Sequence, residues 1–128
     1  MQLLLDTNAF LFWTSGGKKL SPRAKKLMSS PRNELLLSSI SSLEIAIKHA
    51  LGTLKLPEPP RKFVPSRLSA HSIAGLPFEH ADALLVADLP PIHDDPFDRA
   101  LIAQAIEREL AIITADDRFE EYGVRVEW

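Results

Sequence analysis

Four acidic residues follow short apolar segments of the chain that are typical of buried strands. They are Asp6, Glu44, Asp98 and Asp116. Ligands of an open α/β sheet bind at the carboxyl ends of its strands, so these carboxylates are predicted to meet at one edge. Two like charges about 4 Å apart repel by about 4 kcal/mol at an effective dielectric constant of 20, and a divalent cation turns that repulsion into coordination. The pattern therefore predicts a metal-dependent hydrolase.

Asp6 also has a purely structural interpretation. It follows Leu3-Leu4-Leu5, which is apolar on both faces as a central parallel strand should be. A helix is predicted over residues 7 to 14, and an aspartate just before a helix can cap it by accepting a backbone N–H. Both roles place the carboxylate at the end of the first strand.

Glu44 has a stronger structural alternative. Ser41 and Glu44 match a capping box, which predicts that the third helix begins near Leu43. Glu44 and Lys48 also form an i, i+4 pair on one face of that helix. A capping glutamate still lies at the carboxyl edge of the sheet, so the two roles are compatible.

The segment from His93 to Arg99 holds the densest group of polar residues. Asp95 before Pro96 is interpreted as the N-cap of a long helix, with proline at the first helical position. Asp98 then lies in the first turn, where the helix dipole stabilises a carboxylate. We therefore assign Asp98 to the metal, Asp95 to the start of the helix and Asp94 to the rim.

Asp116 completes the set of acids. It follows a predicted strand that ends in Thr114, and a hydroxyl followed by an acid suits the positioning of a metal-bound water. The alternative is a plain turn, in which two successive aspartates are common. Asp116 is preferred to Asp117 because it lies closer to the strand end, and the choice between them stays open.

The elements that must position these acids alternate between strand and helix. Strands are predicted over residues 3–5, 34–38, 72–74, 111–114 and 124–127, and helices over 7–14, 21–30, 43–51, 61–69, 79–87 and 95–109. Such alternation predicts an α/β fold, in which helices flank a mostly parallel sheet of four to five strands in three layers. At 128 residues the chain is expected to be one domain, residues 1–128.

Composition excludes several other classes of protein. The chain has no cysteine, which rules out disulfides, zinc–thiolate sites and a cysteine nucleophile. We expect a cytoplasmic protein, because no basic leader precedes the first apolar residues and no apolar run approaches 18 residues.

The distribution of charge is uneven along the chain. Residues 1–70 carry a net charge of +7 and residues 71–128 a net charge of −9, for a total of −2. The first half therefore offers a basic surface that can meet phosphates. The alternative is that the basic run is the solvated face of one helix; it consists of Lys18, Lys19, Arg23, Lys25 and Lys26.

The histidines and the aromatic stripe receive structural interpretations. No paired ligand motif links the histidines, so each is expected to be a surface or loop residue; they are His49, His71, His80 and His93. An aromatic stripe in the first helix can stack bases or form a dimer contact, but core packing is its commoner role; it consists of Phe10, Phe12 and Trp13.

Four segments together resemble the PIN-domain ribonucleases, and most of all the VapC-type toxins of type II toxin–antitoxin systems. They are Leu4–Asn8, Ser42–Lys48, Asp95–Ala105 and Thr114–Asp116. The resemblance runs from Met1 to Trp128, and its most specific part is the Asp-Pro-Phe-Asp-Arg block. It implies a toxin that cleaves single-stranded or looped RNA by in-line attack of a metal-activated water, with a cognate antitoxin and a homodimeric state.

The resemblance also implies a role for each site residue. Asp6 and Asp98 would bind Mg²⁺ or Mn²⁺ directly or through water, Glu44 would complete the shell, and Asp116 would help hold a second ion or the attacking water. Supporting hydrogen bonds would come from Thr7, Asn8 and Thr114, and Arg99 would contact phosphate or form a structural ion pair. Two positions depart from many relatives: Asn8 replaces a histidine, and Asp94 replaces an arginine.

Other acid-based enzymes fit poorly. A haloacid-dehalogenase-type phosphotransferase needs a second aspartate two residues after the first, where this chain has Asn8. A response-regulator receiver needs a lysine at a late strand end, and only Arg118 and Arg125 follow Thr114. The remaining alternative is a catalytically silent PIN-fold module that binds RNA or protein, which would show no Mn²⁺ uptake dependent on Asp6.

Overall fold

The computed structural model describes all 128 residues. The strands are β1 (Gln2–Leu5), β2 (Glu34–Ser38), β3 (Ile73–Leu76), β4 (Ala111–Ile113) and β5 (Val126–Glu127). The helices are α1 (Thr7–Thr14), α2 (Pro22–Ser29), α3 (Ser39–Ala50), α4 (Pro60–Ala70), α5 (His80–Leu85) and α6 (Pro96–Arg108), with 3₁₀ helices at Val86–Asp88 and Asp117–Tyr122. No helix combines the length and the apolar character needed to cross a membrane.

The central strand β1 is apolar on both faces because helices cover both sides of the sheet. Leu3 and Leu5 lie in one apolar cluster with residues of α1 to α4, including Phe10. Leu4 lies in a second cluster with α6, which contributes Leu101, and α5 packs outside α6. These three layers confirm the predicted α/β/α fold.

All five strands are parallel, in the order β3-β2-β1-β4-β5. The chain builds from β1 outward to β3 on one side, then crosses to the other side for β4 and β5. The strand order therefore reverses beside β1, and a crevice opens between the carboxyl ends of β1 and β4. Asp6 follows β1 at this crevice, and Thr114 follows β4.

The third helix begins earlier than predicted. Ser38 ends β2 and also caps α3, since its hydroxyl accepts a hydrogen bond from the Ile40 N–H at 3.1 Å. The predicted capping box of Ser41 and Glu44 is therefore wrong: both residues lie inside the helix and are buried. The earlier start lets Ile40 pack against the second apolar cluster, and it releases the Glu44 carboxylate from a capping role.

Smaller differences lie at the edges of the sheet. The last strand begins at Val126 rather than at residue 124, and a 3₁₀ helix over Asp117–Tyr122 replaces the expected turn. Lys18 and Lys19 precede α2, so the basic run is not one helix face. These segments are short, so tertiary packing decides their conformation. Phe119 of the 3₁₀ helix, for example, is completely buried.

Candidate active site

A cleft of about 360 Å³ lies at the carboxyl edge of the sheet where the strand order reverses. The structure brings the four acids selected from the sequence to its wall: Asp6, Glu44, Asp98 and Asp116. Asp95 joins them, and Lys48, Phe12 and Trp128 line the same cleft. The neighbouring Asp94 is exposed and Asp117 is also exposed, outside this lining.

Asp6 combines the two roles considered for it. Its backbone N–H donates to the Ile113 carbonyl at 3.0 Å, and its Oδ1 accepts the Ala9 N–H at 2.7 Å, which caps α1. Burial raises the pKa of Asp6 to about 6, and hydrogen bonds from Thr114 and Ala9 oppose that rise. The charges of Glu44 and Asp116 raise this pKa further. The ionised form of Asp6 is therefore costly without a cation.

Glu44 is held from two sides. The Thr7 hydroxyl donates to Glu44 Oε1 and lies 3.0 Å from the Ser41 hydroxyl. Lys48 forms an ion pair with Glu44 Oε2, and this hydrogen bond raises the pKa of Lys48. Asn8 is exposed and lines the cleft beside Thr7. The carboxylate is thus aimed at the cleft by a hydroxyl from α1 and by one ammonium group.

Asp98 lies in the first turn of α6, as predicted. Asp95 caps this helix, accepting the N–H groups of Phe97 and Asp98 at 2.8 and 3.2 Å. Burial and the charge of Asp95 raise the pKa of Asp98 to about 7, with smaller increases from Glu44 and Asp6 and an opposing effect of His93. Two carboxyl groups of the cleft therefore titrate near neutral pH.

The pKa of Asp116, unlike those of Asp6 and Asp98, is lowered. Its Oδ1 accepts the backbone N–H and the Nε of Arg118, each at 3.0 Å, and its Oδ2 accepts the Arg118 guanidinium at 2.8 Å. These bonds hold the pKa of Asp116 well below its usual range. Thr114 is buried and accepts the Asp116 N–H at 3.1 Å. Asp116 is thus anionic and fixed in place.

His93 is the residue that sequence reasoning missed. It lies in the loop before α6, which agrees with the prediction of a surface or loop histidine, but its side chain is only 4% exposed. Its Nε2 lies 3.1 Å from Asp98 and 2.9 Å from Asp116. A search for paired histidines could not find it, because its partners are aspartates. The available signal was its place two residues before the Asp95 cap in the densest polar segment.

Arg99 lies behind the cleft wall rather than in it. Its guanidinium donates to the carbonyl oxygens of Pro90, Leu89 and Val86 at 2.8, 3.3 and 3.3 Å, and to the Tyr122 hydroxyl at 3.2 Å. No carboxylate pairs with it, so the expected ion pair is absent and Arg99 supports the loop between α5 and α6, while the phosphate contact stays a prediction. Of these carbonyl groups, that of Leu89 has no backbone donor, whereas those of Val86 and Pro90 also accept a backbone N–H.

The chemistry of the cleft fits a divalent cation. Its potential ligands are carboxylate oxygens, the donors that Mg²⁺ and Mn²⁺ prefer. Buried carboxylates outnumber the single ammonium group of Lys48 on the wall. The pKa values of Asp6 and Asp98 are raised first by burial and then by the charges of neighbouring carboxylates. The predicted ligand roles stay predictions, although the four side chains do share one cleft.

Fold and site together define an α/β domain with a parallel sheet and an acid-lined cleft at the point where its strand order reverses. The family model of the PIN domain matches residues 3–124, so the chain belongs to the PIN domain family. The predicted resemblance to that family is therefore confirmed.

Individual relatives agree with this assignment. The chain is 39% identical over 57 residues to "Ribonuclease VapC16" of Mycobacterium tuberculosis, across 44% of this chain and 40% of that protein. The match thus spans less than half of the relative. Among solved structures, VapBC2 from Rickettsia felis bound to promoter DNA aligns with a TM-score of 0.71 at 17% identity, covering 99% of this chain and 98% of that one. DNA-bound VapBC from Salmonella typhimurium aligns with a TM-score of 0.67 at 22% identity, covering 99% and 97%. These two similarities concern the fold.

Proposed function

We propose that this chain is a Mg²⁺- or Mn²⁺-dependent endoribonuclease that acts as the toxin of a toxin–antitoxin pair. The observation that carries the proposal is the meeting of Asp6, Glu44, Asp98 and Asp116 in one cleft. Membership of the PIN domain family and the similarity to a ribonuclease of the VapC type support the same activity.

Asp6, Glu44 and Asp98 would hold the cation, and Asp116 would assist from the neighbouring loop. When bound, the cation supplies activation of a water nucleophile and neutralises charge on the phosphate during in-line displacement. Asp6 and Asp98 must release their protons for it, since their pKa values are about 6 and 7. The Thr7 hydroxyl donates a hydrogen bond to one oxygen of Glu44 and so orients this carboxylate toward the cleft.

The lining of the cleft favours a single RNA strand. Phe12 and Trp128 line it together with the acids, and both are partly exposed. Aromatic faces stack on unpaired bases, which a duplex does not offer. Lys19 lies over the Phe12 ring, with its Nζ 5.5 Å from the ring centroid, and brings positive charge to this side of the cleft. We therefore propose single-stranded or looped RNA as the substrate.

The proposal extends to the organisation and partners of the chain. Residues 1–128 would act as one PIN domain in the cytoplasm, as a homodimer inhibited by a cognate antitoxin. Support comes from the fold shared with the DNA-bound VapBC proteins of Rickettsia felis and Salmonella typhimurium.

The test is cleavage by the purified protein and in cells. Wild-type protein is expected to cut single-stranded RNA in Mg²⁺ and to lose activity in EDTA, whereas Asp98→Ala should not cut. Asp88→Asn is the matched control, because Asp88 is an exposed carboxylate remote from the cleft lining. Induced expression of wild type beside Asp6→Ala, with mapping of new RNA 5′ ends, tests the toxin role. Growth arrest by both proteins, or wild-type rates for Asp98→Ala, would contradict the proposal and favour a silent binding module.

A further inference from the structure

We propose that His93 is a positioning residue that binds Asp116 through its ring N–H, keeps Asp98 beside it and does not itself bind the metal. The proposal rests on the proposed function of the cleft. Asp98 comes from α6 and Asp116 from the segment after β4, so no local structure sets the distance between them. The His93 ring lies between these two carboxylates.

The hydrogen bonds of the ring determine where its proton lies. His93 Nδ1 lies 3.1 Å from the backbone nitrogen of Asp95, which donates to it. A backbone N–H only donates, so Nδ1 must present its lone pair and the neutral ring carries its proton on Nε2. That proton is donated to Asp116 Oδ2 at 2.9 Å, and Asp98 Oδ2 lies 3.1 Å from the same nitrogen. The ring is therefore a donor to Asp116 in close contact with Asp98.

This arrangement excludes His93 as a metal ligand. One atom each of His93, Asp98 and Asp116 lies within 4.8 Å of the others, a spacing that by itself would suit a cation. If Nε2 bound the metal, it would need a free lone pair, and the ring proton would have to be on Nδ1. The Nδ1–H and the Asp95 N–H would then both be donors facing each other, which is unfavourable. Histidine ligands normally donate their second N–H to an acceptor, and here the opposite polarity occurs.

The ring cannot easily turn away from this position. The His93 backbone N–H donates to the Tyr122 hydroxyl at 2.7 Å. The ring packs edge-on against Phe119, with centroids 5.9 Å apart. Held in this way, His93 engages Oδ2 of Asp116 and lies against Oδ2 of Asp98. The two carboxylates are thus presented to a cation in a prearranged position, which lowers the cost of binding it.

The experiment compares His93→Gln with His93→Phe. Glutamine can place an amide N–H near the position of Nε2, whereas phenylalanine keeps the ring shape and loses the donor. Isothermal titration with Mn²⁺ should show an affinity for His93→Phe weaker by roughly 10- to 100-fold, as for other residues that support metal ligands, with most of the loss recovered in His93→Gln. His80→Phe is the matched control, since His80 is exposed and outside the cleft, and should bind Mn²⁺ like wild type.

Two measurements on the wild-type protein test the proposal without depending on the folding of a variant. Two-bond ¹H–¹⁵N spectra of the metal-free protein should show the Nε2–H form of His93, and an Nδ1–H form would overturn the proposal. Pulsed EPR of the Mn²⁺-loaded protein should show no strongly coupled ligand nitrogen, and its presence would make His93 a ligand. If the wild-type protein binds Mn²⁺ and His93→Phe binds it with the same affinity, this proposal alone is refuted. If the wild-type protein binds no Mn²⁺, the proposed function is refuted as well.

Discussion

Replacing Asp6 by asparagine should stabilise the metal-free protein at alkaline pH. Asparagine caps helices about as well as aspartate, so the bond from the Ala9 N–H is expected to survive. The substitution removes the charge that burial disfavours. A pKa rise from 3.8 to about 6 corresponds to about 3 kcal/mol between the charged and neutral forms. The free energy of unfolding should therefore rise by up to about 3 kcal/mol well above pH 6.

The raised pKa of Asp6 determines whether the stability of the protein rises or falls with pH. The Asp6 carboxyl loses its proton near pH 3.8 in the unfolded chain and near pH 6 in the folded one. Between these values the folded protein binds more protons, so the stability of the wild-type protein falls as pH rises and then levels off. Asp98, with a pKa of about 7, acts in the same direction up to higher pH. At pH 4 the stabilising effect of Asp6→Asn should have almost disappeared.

Urea denaturation in EDTA at pH 4, 6 and 8 measures this effect. Mn²⁺ at 1,000 times its Kd should reverse the ranking at pH 8, because it stabilises the wild-type protein by about 4.1 kcal/mol, more than the variant gains, and the variant lacks that site. Asp88→Asn, which neutralises an exposed carboxylate, should change stability by less than about 0.5 kcal/mol. The reasoning fails if Asp6→Asn destabilises the protein equally at pH 4 and pH 8 in EDTA.

Three further predictions concern the surroundings of the site. Phe12→Ala should raise KM for single-stranded RNA more than it lowers kcat, measured with a fluorogenic oligonucleotide, because it removes a stacking surface; an unchanged KM would exclude that contact. Arg99→Met should lower the free energy of unfolding by about 1–3 kcal/mol in urea, since it leaves the Leu89 carbonyl without a donor, and unaltered stability would show that water replaces it. Arg118→Gln should raise the pKa of Asp116 toward its ordinary value in a ¹³C NMR titration; an unmoved pKa would mean that another donor sets it.

Much of the fold was predictable because its signals are local. Leu3-Leu4-Leu5 is apolar on both faces, as a strand covered on both sides must be, and it forms the centre of the sheet. The start of α6 followed from Asp95 and Pro96, whose capping geometry depends only on neighbouring backbone groups. The start of α3 was misplaced because several serines nearby can each cap a helix, and packing of Ile40 selected the first.

Asp6, Asp98 and Asp116 were identifiable from the sequence because each follows a strand or lies in the first turn of a helix, and a parallel sheet brings such positions to one edge. Glu44 reaches the same cleft from inside α3, although the capping box used to place it was wrong. The sequence by itself thus determined the layers of the fold, the position of the cleft and its carboxylates. Only the tertiary structure decided that His93 is buried between Asp98 and Asp116, and that Arg118 holds Asp116 while Asp6 and Asp98 are left with raised pKa values. Burial and through-space charge depend on which distant segments pack together, and the spacing of residues along the chain does not encode them locally.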